Sequence, residues 1–210
     1  MTKKQRVALA VELLKGKYPQ AQCSLNYETP FQLLIATRLS AQCTDARVNI
    51  VTPELFRAFP DAKSLAAAPL EEVENLIKTC GLYKTKARDL IEISKKLLSD
   101  FGGIVPDNIE DLTSLSGVGR KTANLICGDI YKKPAVVTDT HFIRICNRLG
   151  FVDTDNPLKV EKEMRKLLPS EESSDFCHRA VLFGREICIA RRPRCEECVL
   201  NNICKTKGSM

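Results

Sequence analysis

The segment LSGVGRKTAN sets two glycines two positions apart and follows them with Arg120 and Lys121 where a helix is predicted to begin. Glycines before a helix N-terminus allow backbone N–H groups to bind a phosphate. The helix macrodipole disfavours a protonated lysine at that end. A neutral amine is the form that attacks a carbonyl-like carbon to give a Schiff base. The alternative is an ordinary helical hairpin whose lysine is solvated or touches phosphate.

A carboxylate follows eighteen residues later, within the segment AVVTDTHFIRICNRLG. Asp139 precedes a predicted helix over residues 140–149, and aspartate at that position commonly caps the helix. A carboxylate beside a lysine amine can instead accept its proton or stabilise a cation forming on a sugar. Such a carboxylate opposes the effect of the helix macrodipole, because its negative charge favours the protonated amine of Lys121.

Four cysteines crowd the C-terminal part of the chain with the spacing C-x6-C-x2-C-x5-C. Their positions are Cys188, Cys195, Cys198 and Cys204. Four thiolates within so short a segment indicate a metal site, and both zinc and a [4Fe–4S] cluster accept four cysteines. The spacing leaves these two metals equally supported. The other six cysteines, which we interpret as small buried hydrophobic residues, are Cys23, Cys43, Cys80, Cys127, Cys146 and Cys177.

The segment IARRPR lies between the first two of these cysteines and carries Arg191, Arg192 and Arg194. A loop held at both ends by metal thiolates presents its arginines rigidly, which suits a phosphate. A charge run that only improves solubility is the alternative. The formal charge of the chain is +6, and a cluster with four thiolates adds about −2.

The elements that must position these residues are predicted to be helices. Sustained alternation of apolar and polar residues is absent, whereas apolar residues recur at helical spacing. Thr29 is expected to cap a helix that begins at Pro30, and another helix is expected from Pro69 to a C-terminal Gly81. Asp107 is expected to open a capping box at the start of a helix–turn–helix over residues 107–130. We therefore predict an all-α fold with about ten helices.

Composition narrows the class of protein further. The 210 residues are 44% hydrophobic, enough for a core, and the pI of about 8.8 is compatible with a nucleic-acid partner. No apolar run is long enough to span a membrane, and the charged N-terminal segment lacks the pattern of a signal peptide. We expect a cytoplasmic protein, so the ten cysteines do not form a disulfide framework.

Taken together, LSGVGRKTAN, TDTHFIRICNRLG and the cysteine tail resemble the endonuclease III family of the helix-hairpin-helix superfamily. LSAQCTDARVN and GLYKTKARDL extend this resemblance over nearly the whole chain. The family implies two helical lobes that flank a DNA-binding cleft, with a [4Fe–4S] cluster in one lobe. On this basis residues 22–132 form a helical-barrel domain, and residues 1–21 with 133–210 form the second domain, which carries the cluster loop over residues 188–204.

The resemblance also implies an activity. Members are bifunctional DNA glycosylases and AP lyases that remove oxidised pyrimidines from duplex DNA in base-excision repair. By this similarity Lys121 attacks C1′ of a flipped nucleoside and forms a Schiff base, and β-elimination then cuts the strand 3′ to the abasic site. Asp139 assists departure of the base and the later proton transfers.

The implied DNA contacts comprise residues that enter the duplex, residues that bind its backbone and residues that line the cleft. Gln42 and Leu82 are expected to fill the gap left by the flipped base. The backbone contacts are expected from Gly117, Gly119 and Arg120 of the hairpin and from the three arginines of the cysteine loop. Ser40, Asp45 and His141 match positions that line the cleft. The expected partner is double-stranded DNA, bound by a monomer that is associated with the nucleoid and has no membrane contact.

Two departures and two rival interpretations complete the sequence evidence. Ser116 stands where the family usually has proline, which should loosen the turn, and Thr138 replaces a more usual apolar residue.

An adenine-mismatch glycosylase shares the cluster and the aspartate but lacks the lysine and adds a C-terminal domain; Lys121 and the six residues after Cys204 argue against it. A non-catalytic hairpin module with structural zinc leaves Lys121 and Asp139 without a role.

Overall fold

A computed structural model describes residues 1–207, and within that range every regular element is helical. The prediction of an all-α fold is confirmed, with eleven α-helices in the described part of the chain. They are α1 Lys3–Lys17, α2 Pro30–Ser40, α3 Asp45–Ala58, α4 Ala62–Ala66, α5 Leu70–Leu76, α6 Tyr83–Phe101, α7 Ile109–Thr113, α8 Arg120–Asp129, α9 Thr140–Arg148, α10 Pro157–Leu167 and α11 Ser173–Glu186. Short 3₁₀ helices span Ser170–Glu172, Cys195–Glu197 and Asn201–Ile203.

The chain divides into two compact units, one of which is assembled from both ends of the sequence. Ser24–Tyr131 forms the hairpin unit, which contains α2 to α8. Met1–Cys23 and Lys132–Met210 form the cysteine unit, which contains α1, α9, α10 and α11. Lys121 belongs to the hairpin unit, whereas Asp139 and the four clustered cysteines belong to the cysteine unit.

Local sequence signals begin and end several helices of the hairpin unit. The Thr29 hydroxyl accepts a hydrogen bond from the Gln32 backbone N–H, and Pro30 occupies the first position of α2, as predicted. Gly102 ends α6 in a left-handed conformation with φ of 61°. Helix α4 packs on α6, and α2 packs against α3 and α8, so α2 lies at the centre of this unit.

An ion-pair cluster joins the two ends of the chain within the cysteine unit, where α1 packs on α11. Glu172 pairs with Lys15 of α1 and with Arg179 of α11, and Arg179 is almost fully buried. These hydrogen bonds, first that from Lys15 and then that from Arg179, hold the pKa of Glu172 below its usual value. Removing one member of such a buried network is costly because it leaves an uncompensated charge.

Two predicted helix boundaries are wrong. Helix α5 ends at Leu76 and not near Gly81, because the chain tightens there: Cys80 N–H bonds to Ile77 C=O at 2.8 Å. Gly81 serves close packing instead, since a Cβ at this position would lie 3.3 Å from the Gln42 carbonyl oxygen. Helix α7 is capped by Asn108, whose side chain accepts from the Asp111 N–H, and not by Asp107.

Within residues 1–207, no helix combines the length and the apolar character that crossing a membrane requires.

Candidate active site

The predicted helix–turn–helix is formed by α7 and α8, which pack on each other across a short turn. Gly119 occupies the N-cap position of α8 with extended backbone and supplies no side-chain cap. Arg120 and Lys121 are exposed in the first helical turn. A helix N-terminus that is not capped by a side chain presents its first N–H groups to an anion. The structure therefore places the Lys121 side chain at an end of α8 that suits a phosphate.

A side-chain network supports the turn from behind. Arg38 forms an ion pair with Asp89, and its Nε lies 3.0 Å from Asp89 Oδ2. The Ser116 hydroxyl donates to Asp89 Oδ1 at 2.8 Å. Ser116 thus ties the turn to α6.

Gly117 is required at the centre of the turn for two reasons. Its φ of 65° is left-handed, a conformation that disfavours side chains. A Cβ at Gly117 would also lie 2.2 Å from Arg38 Nε, and that guanidinium is held by Asp89. Gly117 therefore leaves the space that the Arg38 side chain occupies in its ion pair with Asp89.

The two residues predicted to enter the duplex lie on neighbouring exposed loops of the hairpin unit. Gln42 and Leu82 both adopt left-handed backbone conformations, with φ of 53° and 59°. Leu82 is 61% exposed, which is unusual for a large apolar side chain. The loops approach each other closely at Gly81, where a Cβ would lie 3.3 Å from the Gln42 carbonyl oxygen, a tight contact that glycine avoids. Strained residues of this kind cost about 1–3 kcal/mol each and cluster at functional sites.

The other two predicted cleft residues of this unit make local contacts. The Ser40 hydroxyl donates to Thr37 C=O at 2.9 Å at the end of α2. Asp45, in the first turn of α3, accepts from the Ser24 hydroxyl at 2.6 Å. Both side chains are half-buried near the Gln42 loop, so their contacts support that loop's two ends.

Asp139 is the N-cap of α9 in the cysteine unit. Its Oδ1 accepts from the Phe142 N–H at 2.7 Å, which is the helix-capping interaction that the sequence allowed. The cap occupies one of the two carboxylate oxygens and fixes the orientation of the group. The capping role and a role in proton transfer are therefore compatible, since Oδ2 is held at a defined position beside the start of α9.

His141 is the second residue of α9 and packs against Gly184 of α11. A Cβ at Gly184 would lie 2.8 Å from His141 Nδ1. The same ring nitrogen is 3.1 Å from an Arg144 guanidinium nitrogen, which also donates to Gly184 C=O at 2.9 Å. These contacts fix His141 against α11, close to Asp139 in sequence.

The four clustered cysteines line one small cavity together with apolar side chains, among them Leu149, Phe183 and Ile187. Burial raises the pKa of Cys198, and the three other cysteines of the cluster raise it further. Four thiolates held together therefore need the positive charge of a metal group. Within residues 1–207, no three His, Cys, Asp or Glu side chains converge closely enough for a single metal ion. The wider arrangement is compatible with a cluster, whose thiolates bind separate iron atoms.

Two arginines of α9 donate hydrogen bonds to Cys188, the first of these cysteines. Neither arginine was predicted from the sequence to have this role. Arg144 donates to Cys188 C=O at 2.9 and 3.2 Å. Arg148 donates to the Cys188 Sγ at 3.3 Å and to Ile189 C=O at 2.8 Å. The sequence signal that could have revealed these two arginines is their spacing of four residues, which places both on one face of the helix that follows Asp139. Helix α9 thereby connects Asp139 to the start of the cysteine loop.

The three arginines of the cysteine loop, Arg191, Arg192 and Arg194, are all exposed. Arg192 has a left-handed backbone with φ of 54°, and the Arg194 N–H bonds to Ile187 C=O at 2.9 Å. The loop therefore has a defined backbone that presents its charged side chains to solvent.

Comparison with known proteins places this arrangement in a family. A model described as the HhH-GPD superfamily base excision DNA repair protein matches residues 35–170. Endonuclease III of Synechocystis sp. is 44% identical over 97% of this chain and 93% of the relative. The chain belongs to the endonuclease III family. Endonuclease III of Bacillus subtilis is 41% identical over 96% of this chain and 92% of the relative.

Solved structures of endonuclease III have the same fold. A trapped endonuclease III–DNA covalent intermediate matches with a TM-score of 0.93 and 41% identity, covering 100% of this chain and 99% of that one. The iron–sulfur binding domain of endonuclease III matches residues 188–204, from the first to the last clustered cysteine. This match decides between the two metals that the spacing left open: the cofactor is a [4Fe–4S] cluster.

Proposed function

We propose that this chain is a base-excision-repair enzyme that removes oxidised pyrimidines from duplex DNA and then cleaves the strand 3′ to the abasic site. The observation that carries the proposal is the exposed Lys121 at the glycine-preceded N-terminus of α8, in a chain of the endonuclease III family. Membership of this family supports both the glycosylase and the lyase activity.

Lys121 is the proposed nucleophile. Its neutral amine attacks C1′ of the damaged nucleoside, and the C1′–N bond to the base breaks as the new bond forms. Loss of the ring oxygen bond gives a Schiff base between Nζ and C1′. Removal of a C2′ proton then breaks the C3′–O bond by β-elimination, which releases the phosphate on the 3′ side.

Asp139 is the proposed group for proton transfer and charge stabilisation. Its carboxylate can hold the proton that Lys121 loses and can stabilise the positive charge that develops on the sugar as the base departs. The N-cap bond from Phe142 fixes the carboxylate before substrate binds, so no reorganisation is required during the reaction.

DNA binding is proposed to use both units. Backbone N–H groups around Gly117, Gly119 and Arg120 bind phosphates of the damaged strand, and Gln42 and Leu82 occupy the space left by the flipped nucleotide. The arginines of the cysteine loop supply further phosphate contacts.

The proposed ligands of the cluster are Cys188, Cys195, Cys198 and Cys204. When bound, the cluster holds the two ends of the arginine loop together. Arg148 adds a positive charge beside the Cys188 sulfur, which offsets part of the negative charge of the thiolates. We propose that the enzyme works as a monomer in the cytoplasm, on the DNA of the nucleoid.

Two substitutions separate the proposed roles. Asp139→Asn keeps the helix cap because asparagine caps as well as aspartate, so the Tm should hold while base excision slows by more than about tenfold. Lys121→Ala should abolish strand cleavage on an abasic-site duplex and leave DNA binding largely intact. Both steps are measured on duplexes that contain thymine glycol or an abasic site, with Lys78→Ala as the exposed control lysine of the same unit. Unchanged excision by Asp139→Asn would reduce Asp139 to a helix cap.

A further inference from the structure

A compact group of reactive side chains lies beneath the Gln42 and Leu82 loops, in the hairpin unit. Cys43 directly follows Gln42, and Cys80 precedes Leu82 by two residues. The loops touch where the Gln42 carbonyl approaches Gly81. Burial raises the pKa of Cys80 to about 11, and the neighbouring Cys43 contributes to this rise. Each cysteine therefore lies beside the contact between the two loops and within two residues of a side chain that is expected to enter DNA.

A buried lysine supplies positive charge to this pair. Lys86, in the first turn of α6, is fully buried, and its Nζ donates to Leu39 C=O at 2.8 Å near the end of α2. Burial lowers the pKa of Lys86, and the two neighbouring cysteines act in the opposite direction. Lys86 and Arg47 lower the pKa of Cys80, although by less than burial and Cys43 raise it. Positive charge beside a thiol stabilises its thiolate, which is the reactive form.

The exposure of the two thiols differs in the way that a redox-active pair requires. Cys43 is half-buried and accessible, whereas Cys80 is only 1% exposed. The interpretation of all six scattered cysteines as buried hydrophobic residues is therefore wrong for Cys43 and for Cys23, which is also half-buried. A reactive pair commonly combines an accessible cysteine, which meets the oxidant, with a second cysteine that resolves the first product.

We propose that Cys43 and Cys80 form a reversible disulfide that joins the two loops, with a small-molecule disulfide as the oxidant. The Cys43 thiolate attacks one sulfur of the oxidant and releases the first small thiolate. The Cys80 thiolate, its proton lost to solvent, then attacks the Cys43 sulfur and releases the second. The protein loses two electrons and two protons, and the oxidant is reduced to two thiols.

The consequence for DNA rests on the proposed function. A covalent bond between the two thiols fixes the separation of the backbones that carry Gln42 and Leu82. Entry of these side chains into a duplex requires that they adjust to the unstacked bases. The disulfide therefore weakens the complex with an abasic site, and reduction restores it.

The test uses the holoenzyme, purified under reducing anaerobic conditions and equilibrated with glutathione buffers of increasing disulfide content. After free thiols are blocked, tryptic digestion separates residues 39–47 from residues 79–84, so the disulfide appears as one linked peptide pair. The pair is expected in the unmodified chain and in the half-buried control Cys23→Ala, and it should be absent from Cys43→Ala and Cys80→Ala. Visible absorbance of the cluster shows that its cysteines have not taken part. Glutathionylated Cys43 without the linked pair, or both thiols still free at high disulfide content, would overturn the proposal.

A second measurement separates this proposal from the proposed function. The affinity for a duplex with a stable abasic-site analogue should fall about tenfold on oxidation, a change of about 1.4 kcal/mol, and should return with reductant. Cys43→Ala should bind equally under both conditions. A linked pair with unchanged affinity would refute the effect on DNA. Reduced protein that fails to bind this duplex would refute the proposed function, while the peptide result still decides the disulfide.

Discussion

The hairpin turn and the cysteine loop are both expected to meet DNA phosphates, yet they are stabilised in different ways. The turn over residues 114–119 is held by the chain itself, through Gly117 and the contacts of Asp89 with Arg38 and Ser116. The loop over residues 188–204 contains two three-residue 3₁₀ helices, and its four cysteines line a shared cavity. From this comparison we expect that the surroundings of the proposed nucleophile form without a cofactor, whereas the arginine loop depends on one.

Removal of the cluster should give the largest difference between the two regions. Because thiolates at close range repel one another without a cation, the loop over residues 188–204 should lose its fixed backbone. Hydrogen exchange should accelerate in that loop and at the end of α9, while residues 114–119 keep the protection that they have in the holoprotein. The Tm of the protein should fall by about 10 °C or more.

Intact holoprotein serves as the reference, and the amount of iron released is measured in parallel. Equal acceleration in the hairpin turn would show that the turn depends on the cofactor as much as the loop does, which contradicts the comparison.

Gly117→Ala should break the hairpin turn without affecting the cysteine loop. The new Cβ meets Arg38 and forces a left-handed alanine, which costs about 1–2 kcal/mol from the backbone conformation alone in addition to the clash. Displacement of Arg38 disturbs Asp89 and Ser116, so affinity for an abasic-site duplex should fall by about tenfold or more. Fluorescence anisotropy measures the affinity for the abasic-site duplex, and urea titration measures the free energy of unfolding.

The matched control is Gly102→Ala, which has the same left-handed backbone with φ of 61° but no atom within 4 Å of its Cβ. Gly102→Ala should lose only the conformational part of the free energy of unfolding and should bind DNA normally. If both variants bound DNA equally well, the close fit of Gly117 to Arg38 would have no functional role.

The smallest effect is expected at the ion pairs that join α1 to α11. Since the folded-state pKa of Glu172 lies below its usual value of 4.5, its stabilisation is present at neutral pH and is lost as the pH falls through the folded-state pKa. Glu172→Gln should cost about 1–3 kcal/mol at neutral pH and converge with the unmodified protein in acid. The exposed neighbour Glu171→Gln is the control, measured by urea unfolding over a pH series. A cost that does not vary with pH would exclude this electrostatic origin.

The elements with strong local signals could be predicted from the sequence. Thr29 and Pro30 define the start of α2, and Gly102 ends α6, because capping depends on a few adjacent residues. The turn before Lys121 and the spacing of the four clustered cysteines were also readable, since both depend on short segments of chain. The cysteine spacing alone did not distinguish the metal, because zinc and an iron–sulfur cluster use the same ligand type. The family resemblance predicted the [4Fe–4S] cluster, and this prediction is confirmed.

Features that depend on distant contacts could not be predicted. The sequence pattern predicted that Gly81 ends a helix. Its role in close packing depends instead on the Gln42 carbonyl, 39 positions away in the sequence. The hydrogen bond from Ser116 to Asp89 and the bond from Arg148 to the Cys188 sulfur likewise join segments that are distant in the sequence. The accessible surface of Cys43 beside the buried Cys80 follows from two loops meeting, which neither local segment reveals.

Borohydride trapping tests the central claim, that Lys121 is the nucleophile, most directly. The holoenzyme is reduced with borohydride on duplexes containing thymine glycol or an abasic site, and the modified residue is found by peptide mapping. The account predicts a covalent adduct with both duplexes, located on Lys121 and lost in Lys121→Ala but retained in Lys78→Ala. An adduct on another lysine, such as the buried Lys86, or an undiminished adduct in Lys121→Ala, would contradict it.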